Sequence, residues 1–244
     1  MPNFLILLIS LAGLLLADEA VIASFDLPLD ESAGRLLRNR GSVKIEGKIA
    51  NPERVVRAPG RKNGSTVLRF RKSPEGADPM NRKHGCVIIH ATKQDFDFSG
   101  PFTISLWVRP DADLKRDARY VLFSTFSGDH GDGIQLSYAW NAFRCDCGSK
   151  AKPASLAVNY RNNPLEFGVW NHFCAVYDGS ILRLYLNGIP SDVLEVKIQP
   201  ASSYFSVGAF LGGYAYPFYG EIASLKIYPV ALTAKQIIRE YRNE

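Results

Sequence analysis

The sequence predicts an all-β sandwich, and three observations carry that prediction. Short runs rich in β-branched and aromatic residues recur along the 244-residue chain, separated by clusters of Gly, Pro, Asn and Asp. Two turn signals, Asp178-Gly179 and Asn187-Gly188, flank the leucine-rich run at residues 181–186. One segment alone, residues 231–241, has the pattern of a helix. Because 46% of the residues are apolar, the chain has enough hydrophobic side chains for one large domain.

The strands follow from local composition, in chain order. Residues 66–70 and 86–90 are short apolar runs between loops rich in Gly, Pro, Asn and charge. The next strand, residues 102–110, ends at Pro110, which has no N–H to donate to a neighbouring strand. Further strands are predicted at residues 120–126, 134–143, 155–160, 173–177, 181–186 and 205–208. In this prediction Trp140 lies inside a continuous strand.

The second half of the chain resembles a known family. Residues 170–188 are similar to the Trp-led hairpin of laminin-G-like modules in the concanavalin A-like lectin/glucanase superfamily, which has pentraxins as more distant relatives. Residues 102–110 and 218–228 resemble the family patterns FTISAWVKP and FDGLIDEVRIY, and residues 231–241 resemble its closing helix. Residues 21–41 are similar to its opening strand. The resemblance implies a jelly-roll sandwich of two antiparallel sheets with a short C-terminal helix.

The N-terminus predicts export. Residues 1–17 carry no charged side chain, and residues 4–16 are almost entirely apolar. This run has the length of a signal-peptide core and is shorter than the roughly 20 residues of a spanning helix. We expect a signal peptide at residues 1–17, cleaved after Ala17, and a secreted or extracytoplasmic domain at residues 18–244 without a membrane span. An uncleaved anchor is the alternative, because no Lys or Arg precedes the apolar run.

An exported protein folds in an oxidising compartment, where cysteines can form disulfides. Four cysteines in an oxidising compartment allow three pairings, and the sequence does not choose among them. A zinc site is disfavoured, because a C-x-C spacing differs from the usual C-x₂₋₄-C. We therefore predict at least one disulfide, with buried free thiols as the alternative. The disulfide candidates are Cys86, Cys145, Cys147 and Cys174.

The charge distribution is uneven. The chain carries a net charge of +5, whereas residues 35–83 contain 14 Lys or Arg and 4 Asp or Glu. Such a basic segment attracts polyanions. For an exported protein these are acidic polysaccharides or glycoconjugates, and no aromatic-interleaved nucleic-acid motif is present. The alternative is that the cations are scattered over solvated strand exteriors and loops.

The loop at residues 127–133 has the most suggestive chemistry. Asp129 and Asp132 offer the hard oxygen ligands that calcium prefers, and three glycines allow backbone carbonyls to turn inward. His130 is instead a candidate for binding a sugar hydroxyl. The spacing is not that of an EF-hand. A glycine-rich turn between two strands is the alternative.

Three aromatic residues are candidates for stacking on a sugar. Tyr214 and Tyr216 lie in a glycine-bounded loop, where exposed rings would form a flat platform, and Trp140 is the third. The alternative for each ring is packing in the core or at a sheet edge.

One strand lacks the paired carboxylates of the superfamily's glucanases, and this disfavours an enzymatic function. Retaining glycosidases need two carboxylates about 5 to 5.5 Å apart, and the superfamily's glucanases carry them in an E-I-D-x-x-E strand. The closest stretch here, residues 221–226, has Ala223 and Lys226 where carboxylates are needed. A lyase that uses His90, His130 or His172 is the enzymatic alternative.

The sequence therefore predicts a carbohydrate-binding, lectin-like module for an acidic glycan. The alternatives are a protein-interaction or adhesion domain, then a polysaccharide lyase or glycoside hydrolase.

Overall fold

The computed structural model describes residues 23–24, 36–38, 42–43, 45–62, 64–73, 84–91, 95–126, 132–158, 166–200 and 204–243. The predicted signal peptide, Asp129 and His130 lie outside these residues. Within them, no helix combines the length and the apolar character needed to cross a membrane.

The described residues form sixteen strands and one helix. The first eight strands are β1 (Ala23–Ser24), β2 (Leu36–Arg38), β3 (Glu46–Ala50), β4 (Val55–Pro59), β5 (Thr66–Phe70), β6 (Cys86–His90), β7 (Phe102–Pro110) and β8 (Arg119–Ser124). The others are β9 (Gly133–Ala139), β10 (Ala142–Gly148), β11 (Pro153–Ala157), β12 (Asn171–Tyr177), β13 (Ile181–Leu186), β14 (Ile189–Glu195), β15 (Tyr204–Val207) and β16 (Gly220–Tyr228), and the helix is α1 (Ala234–Asn243).

The strands pair into two antiparallel sheets that face each other. Sheet I has the order β14-β13-β12-β7-β16-β5-β4, with β1 also paired to β16. Sheet II has the order β11-β10-β9-β8-β15-β6-β3-β2. The predicted jelly-roll sandwich of two antiparallel sheets with a C-terminal helix is therefore confirmed.

The core lies between the inner faces of the two sheets. Successive side chains of a strand alternate between its faces, so Ile104 and Leu106 of β7 enter the core while Ser105 and Trp107 lie on the outer face. Aromatic rings join the sheets, because Phe143 of β10 stacks on Phe173 of β12 with ring centroids 4.4 Å apart. The outer face of sheet I is covered by α1, whose Tyr241 stacks on Trp107 at 5.6 Å.

The predicted hairpin at residues 170–188 is confirmed. Leu182, Leu184 and Leu186 of β13 are all buried in the core, as their alternation predicts. The turn that follows has φ angles of 53° at Asn187 and 78° at Gly188. Both residues therefore take the left-handed conformation that a two-residue hairpin turn requires, and Asn-Gly adopts it at low cost.

The structure corrects the predicted strand at residues 134–143. The chain instead reverses at Trp140 and Asn141, whose φ angles are 48° and 64°. β9 and β10 pair from Ala139↔Ala142 onward, so this is a two-residue hairpin. The prediction missed it because a Trp-Asn pair is not a usual turn sequence, whereas Asn-Gly or Asp-Gly is.

The four cysteines are buried free thiols in the structure, so the disulfide prediction is not confirmed. Strand geometry disfavours a disulfide between Cys174 and either cysteine of β10, and it places a Cys145–Cys147 disulfide at the limit of the usual geometry. Cys174 lies on the outer face of sheet I beneath α1, while Cys145 and Cys147 point into the core from β10. Residues two apart on a strand lie about 6.6 Å apart, at the upper limit of Cα separation for a disulfide. Burial raises the pKa of the Cys86 thiol to about 12.

Candidate functional site

A cleft of about 570 Å³ opens at the end of the sandwich where β5 and β7 finish and β16 begins. Because β16 lies between β5 and β7 and is antiparallel to both, Gly220 is opposite Phe70 and Pro110. The residues just after β5, just after β7 and just before β16 therefore meet at one place. The cleft walls carry three tyrosines and three cations, namely Tyr120, Tyr216, Tyr219, Lys72, Lys115 and Arg119.

Hydrogen bonds hold the loop before β16 beside β8. The Val121 N–H donates to the Tyr216 carbonyl at 2.9 Å, so Tyr216 continues sheet II where β15 has ended. Gly208 begins this loop with a φ of 83°, and an added Cβ there would meet the Phe70 ring at 2.1 Å. Tyr216 itself has a φ of 49°, which is unfavourable for a residue with a side chain. The loop thus carries Tyr216 into the cleft wall in a fixed and strained conformation.

The cleft is electropositive. It shares Lys72 and Asp113 with a neighbouring depression of about 480 Å³ that adds Arg69, Arg71 and Asp111. Together the two hollows present five cationic side chains and two carboxylates. The hydrogen bond from Lys72 holds the pKa of the exposed Asp113 below its usual range, so that carboxylate is ionised at neutral pH. Lys72, Arg69 and Arg119 are each paired with a carboxylate, so an anionic group entering the cleft would meet a modest excess of positive charge.

Tyr120 forms part of the cleft floor. Burial raises the pKa of its phenol above the ordinary value. Its hydroxyl accepts a hydrogen bond from the Lys115 N–H at 3.1 Å. This bond fixes the β7–β8 loop against the start of β8, so Lys115 is held at the rim.

Arg119 joins the cleft to the outer face of sheet II. Its guanidinium carbon lies 5.5 Å from the centroid of the Tyr216 ring, and its Nη2 pairs with Asp146 on β10. Asp146 also accepts a 2.8 Å hydrogen bond from Arg144 Nε, and the Arg144 guanidinium carbon lies 5.2 Å from the centroid of Trp140. Tyr216 and Trp140 are therefore connected by a chain of contacts through Arg119, Asp146 and Arg144.

The structure places the aromatic candidate Tyr214 away from the cleft. Tyr214 is half-buried against the apolar cluster of Val121, Phe126, Phe210 and Ala215, and it does not line the cleft. Of the three predicted stacking residues, the structure brings only Tyr216 into the lining of the cleft, and Trp140 is 54% exposed outside it.

The predicted calcium ligands are described only in part. Asp132 Oδ1 accepts a hydrogen bond from the Lys150 N–H at 3.2 Å. Among the described residues, no group of three or more His, Cys, Asp or Glu side chains is arranged to hold a metal. Asp129 and His130 lie outside those residues, so the calcium site stays a prediction.

Two carboxylates lie close together behind the cleft, and both are paired with arginines. The buried Glu221 lies 2.5 Å from Arg109 and 3.6 Å from Arg69, and Arg69 also binds Asp111 at 2.7 Å. A glycosidase needs one carboxyl group with a raised pKa as general acid. Both carboxylates are instead ion-paired with guanidinium groups, so they are suited to bracing β5, β7 and β16.

A serine and a histidine are also in contact, under α1. Ser105 Oγ and His172 Nε2 are 2.8 Å apart, and both residues are buried. Burial lowers the pKa of His172 to about 3, with smaller contributions from Lys226 and Arg61. Within the described chain, His172 Nδ1 has no hydrogen-bond partner. The pair thus lacks both the carboxylate and the solvent access of a nucleophilic triad.

The sequence predicted neither the cations nor two of the tyrosines of the cleft. Lys72, Lys115, Arg119 and Tyr120 belong to no site motif, and Tyr219 lies in the family-like stretch at residues 218–228 without a predicted role. The basic character of residues 35–83 was the available signal, because Arg69, Arg71 and Lys72 belong to that segment.

Comparisons with solved structures show the same fold at low sequence identity. The binding domain of botulinum neurotoxin serotype G superposes with a TM-score of 0.70 at 15% identity, covering 91% of this chain and 51% of that one. Botulinum neurotoxin type C, whose cell entry depends on interaction with two ganglioside molecules, gives 0.68 at 14%, covering 93% and 52%. The binding domain of Paraclostridial Mosquitocidal Protein 1 gives 0.68 at 15%, covering 92% and 52%. This chain thus spans about half the length of each.

No curated protein matches the sequence significantly. A family model does. It is a laminin G model described as concanavalin A-like lectin/glucanases superfamily, and it matches residues 84–238, well over half of the chain. The chain therefore belongs to this laminin-G-like family of the concanavalin A-like lectin/glucanase superfamily.

Proposed function

We propose that this protein is an exported, lectin-like module that binds an acidic glycan in the cleft beside Tyr216. The observation that carries the proposal is the lining of that cleft, which combines three tyrosines with three cationic side chains. Aromatic faces pack against the apolar face of a sugar ring, and cations attract its carboxylate or sulfate groups. The paired arginines around Glu221 favour binding over hydrolysis.

Two of the structural relatives support a glycan ligand. One is the type C neurotoxin that depends on two ganglioside molecules for cell entry. Another is a neurotoxin DC binding domain in complex with SialylT. Both neighbours share the fold of this chain at 13 to 14% identity, so the assignment to this chain depends on its own cleft.

The test is a glycan array probed with the whole protein at two salt concentrations. We expect saturable binding to acidic glycans, weaker at high salt because exposed charges are screened. Tyr216→Ala should lower the affinity about tenfold, which corresponds to roughly 1.4 kcal/mol. Tyr204→Ala is the matched control, because Tyr204 is a half-buried tyrosine of sheet II outside the cleft. Unchanged binding by a folded Tyr216→Ala variant would refute the assigned site.

Two further experiments test calcium binding and export. We propose that calcium binds the loop containing Asp129 and Asp132, so a chelator should weaken glycan binding if the ion supports it. We also propose cleavage after Ala17. The N-terminal sequence of the exported protein should then begin at Asp18, and a chain that retains residues 1–17 would contradict cleavage.

A second candidate function is binding to a protein. Ile181, Ile189 and Val193 are exposed apolar residues on β13 and β14, at one end of sheet I. One neurotoxin relative was solved in complex with rat synaptotagmin II, which is a protein ligand. Binding to cell surfaces that survives periodate oxidation of glycans, but not protease treatment, would favour this candidate over the lectin.

A further inference from the structure

We propose that the turn at Trp140 is a second sugar subsite, so that the ligand is an oligosaccharide of several rings reaching from Tyr216 to Trp140. This inference rests on the proposed function of the cleft. It adds that the ligand has several sugar rings and that the residues around Trp140 hold the distal ring.

The conformation of Trp140 is the first argument. It occupies the first position of a two-residue turn in which both residues have positive φ, at 48° and 64°. Asn, Asp or Gly is favoured at this position, and a bulky side chain costs stability there. The indole is nevertheless 54% exposed, so it does not repay this cost by burial in the core. A strained, exposed aromatic ring points to a role in binding.

The polar groups around the indole are the second argument. Arg144 Nη2 donates to Ser155 Oγ at 2.7 Å, and its Nε donates to Asp146 Oδ1 at 2.8 Å. These bonds hold the guanidinium 5.2 Å from the Trp140 centroid. A ring with hydroxyl groups can donate to Asp146 and accept from Arg144 while it packs against the indole. An aromatic platform with adjacent donors and acceptors fits a sugar ring.

The rigid connection to the cleft is the third argument. The Asn141 N–H donates to the Arg116 carbonyl at 2.9 Å, which pins the turn to the loop that carries Lys115. Arg119 pairs with Asp146 and so spans the space between the two subsites. Tyr216 lies beside Val121, which is opposite Ser137 of β9, three residues before Trp140. Two strand spacings across and three residues along place the two backbones about 14 Å apart.

The test measures affinity for oligogalacturonates of two to six rings, with the whole protein. We expect the wild-type affinity to rise at least tenfold between the dimer and the hexamer. Trp140→Asn should remove most of this increase and leave the dimer affinity unchanged, because the dimer fills only the cleft. Asparagine suits the left-handed turn, so the melting temperature should not fall. Ile189→Asn is the matched control, since Ile189 is 51% exposed on sheet I.

The possible results separate the second subsite from the cleft itself. Hexamer binding by a folded Trp140→Asn variant at the wild-type affinity would overturn the second subsite, and if Tyr216→Ala still lost binding, the cleft would stand. A wild-type affinity independent of chain length would also overturn the subsite alone. Failure of the wild type to bind any acidic glycan, on the array or in this series, would overturn both proposals.

Discussion

Arg119 and Asp146 form an ion pair over the outer face of sheet II, with β9 between the strands that carry them. The two side chains are 18% and 17% exposed. The pair connects the wall of the cleft to the Trp140 turn, because Asp146 is shared with Arg144. It therefore contributes both to stability and to the shape of the proposed site.

The first prediction concerns the strength of this pair. A double-mutant cycle with Arg119→Ala and Asp146→Ala should give a coupling energy of about 1 kcal/mol in urea unfolding, at the upper end for partly exposed pairs. Lys226 and Glu240 have similar exposure, at 18% and 19%, but their nearest charged atoms are 3.6 Å apart. Their coupling should be smaller. Equal coupling in the two pairs would show that the geometry at Arg119 adds nothing.

The second prediction concerns pH. His172 has a pKa of about 3 in the folded protein, mainly because it is buried, against about 6.5 in an unfolded chain. Between these values the unfolded chain binds the extra proton, so the stability contribution is full above about pH 6.5 and is lost as the pH falls toward 3. The loss from this group should be several kcal/mol, with an upper bound of about 5.

Replacing the ring tests this assignment. His172→Gln should reduce the decline in unfolding free energy between pH 6.5 and 4, measured by urea titration at each pH. His90→Gln is the control, because His90 is exposed on β6. A variant that lacks His172 and keeps the full acid sensitivity would assign that sensitivity to other groups.

The third prediction concerns Gly220 at the start of β16. A Cβ added there would lie 2.3 Å from the Arg109 carbonyl oxygen, and the residue has a φ of 141°. Gly220→Ala should therefore cost at least about 3 kcal/mol. At Gly100 an added Cβ meets no atom within 4 Å. Gly100→Ala should be close to neutral, and similar melting temperatures for the two variants would contradict the close approach of β16 and β7.

The fourth prediction concerns the thiols. All four cysteines are free and buried, and burial raises the pKa of Cys86, Cys145 and Cys174. Since the thiolate is the reactive form, the folded protein should not react with a thiol reagent within minutes. The denatured, unreduced protein should show four thiols per chain. A count of two would establish one disulfide and restore the prediction made from the cysteine pattern.

Local sequence predicted much of the fold, because its strongest signals are local. The predicted strands at residues 66–70 and 86–90 coincide with β5 and β6. The Asn-Gly turn and the alternating leucines predicted the hairpin of β12 and β13. The predicted closing helix is present as α1, where the Thr233 N–H donates to Gln236 Oε1 at 2.9 Å in a capping box. The hairpin at Trp140 was missed, because nothing in a Trp-Asn pair favours a reversal.

The sequence by itself determined the fold class, the family and the choice of Tyr216 as an aromatic candidate. Those properties depend on alternation, turn residues and motifs that are contiguous in the chain. Only the tertiary structure brings the residues of the candidate site together. Lys72, Lys115 and Tyr216 become neighbours because β16 inserts between β5 and β7 in antiparallel register. Long-range strand pairing of this kind leaves no local signal, so the cleft and its link to Trp140 appear only in the folded chain.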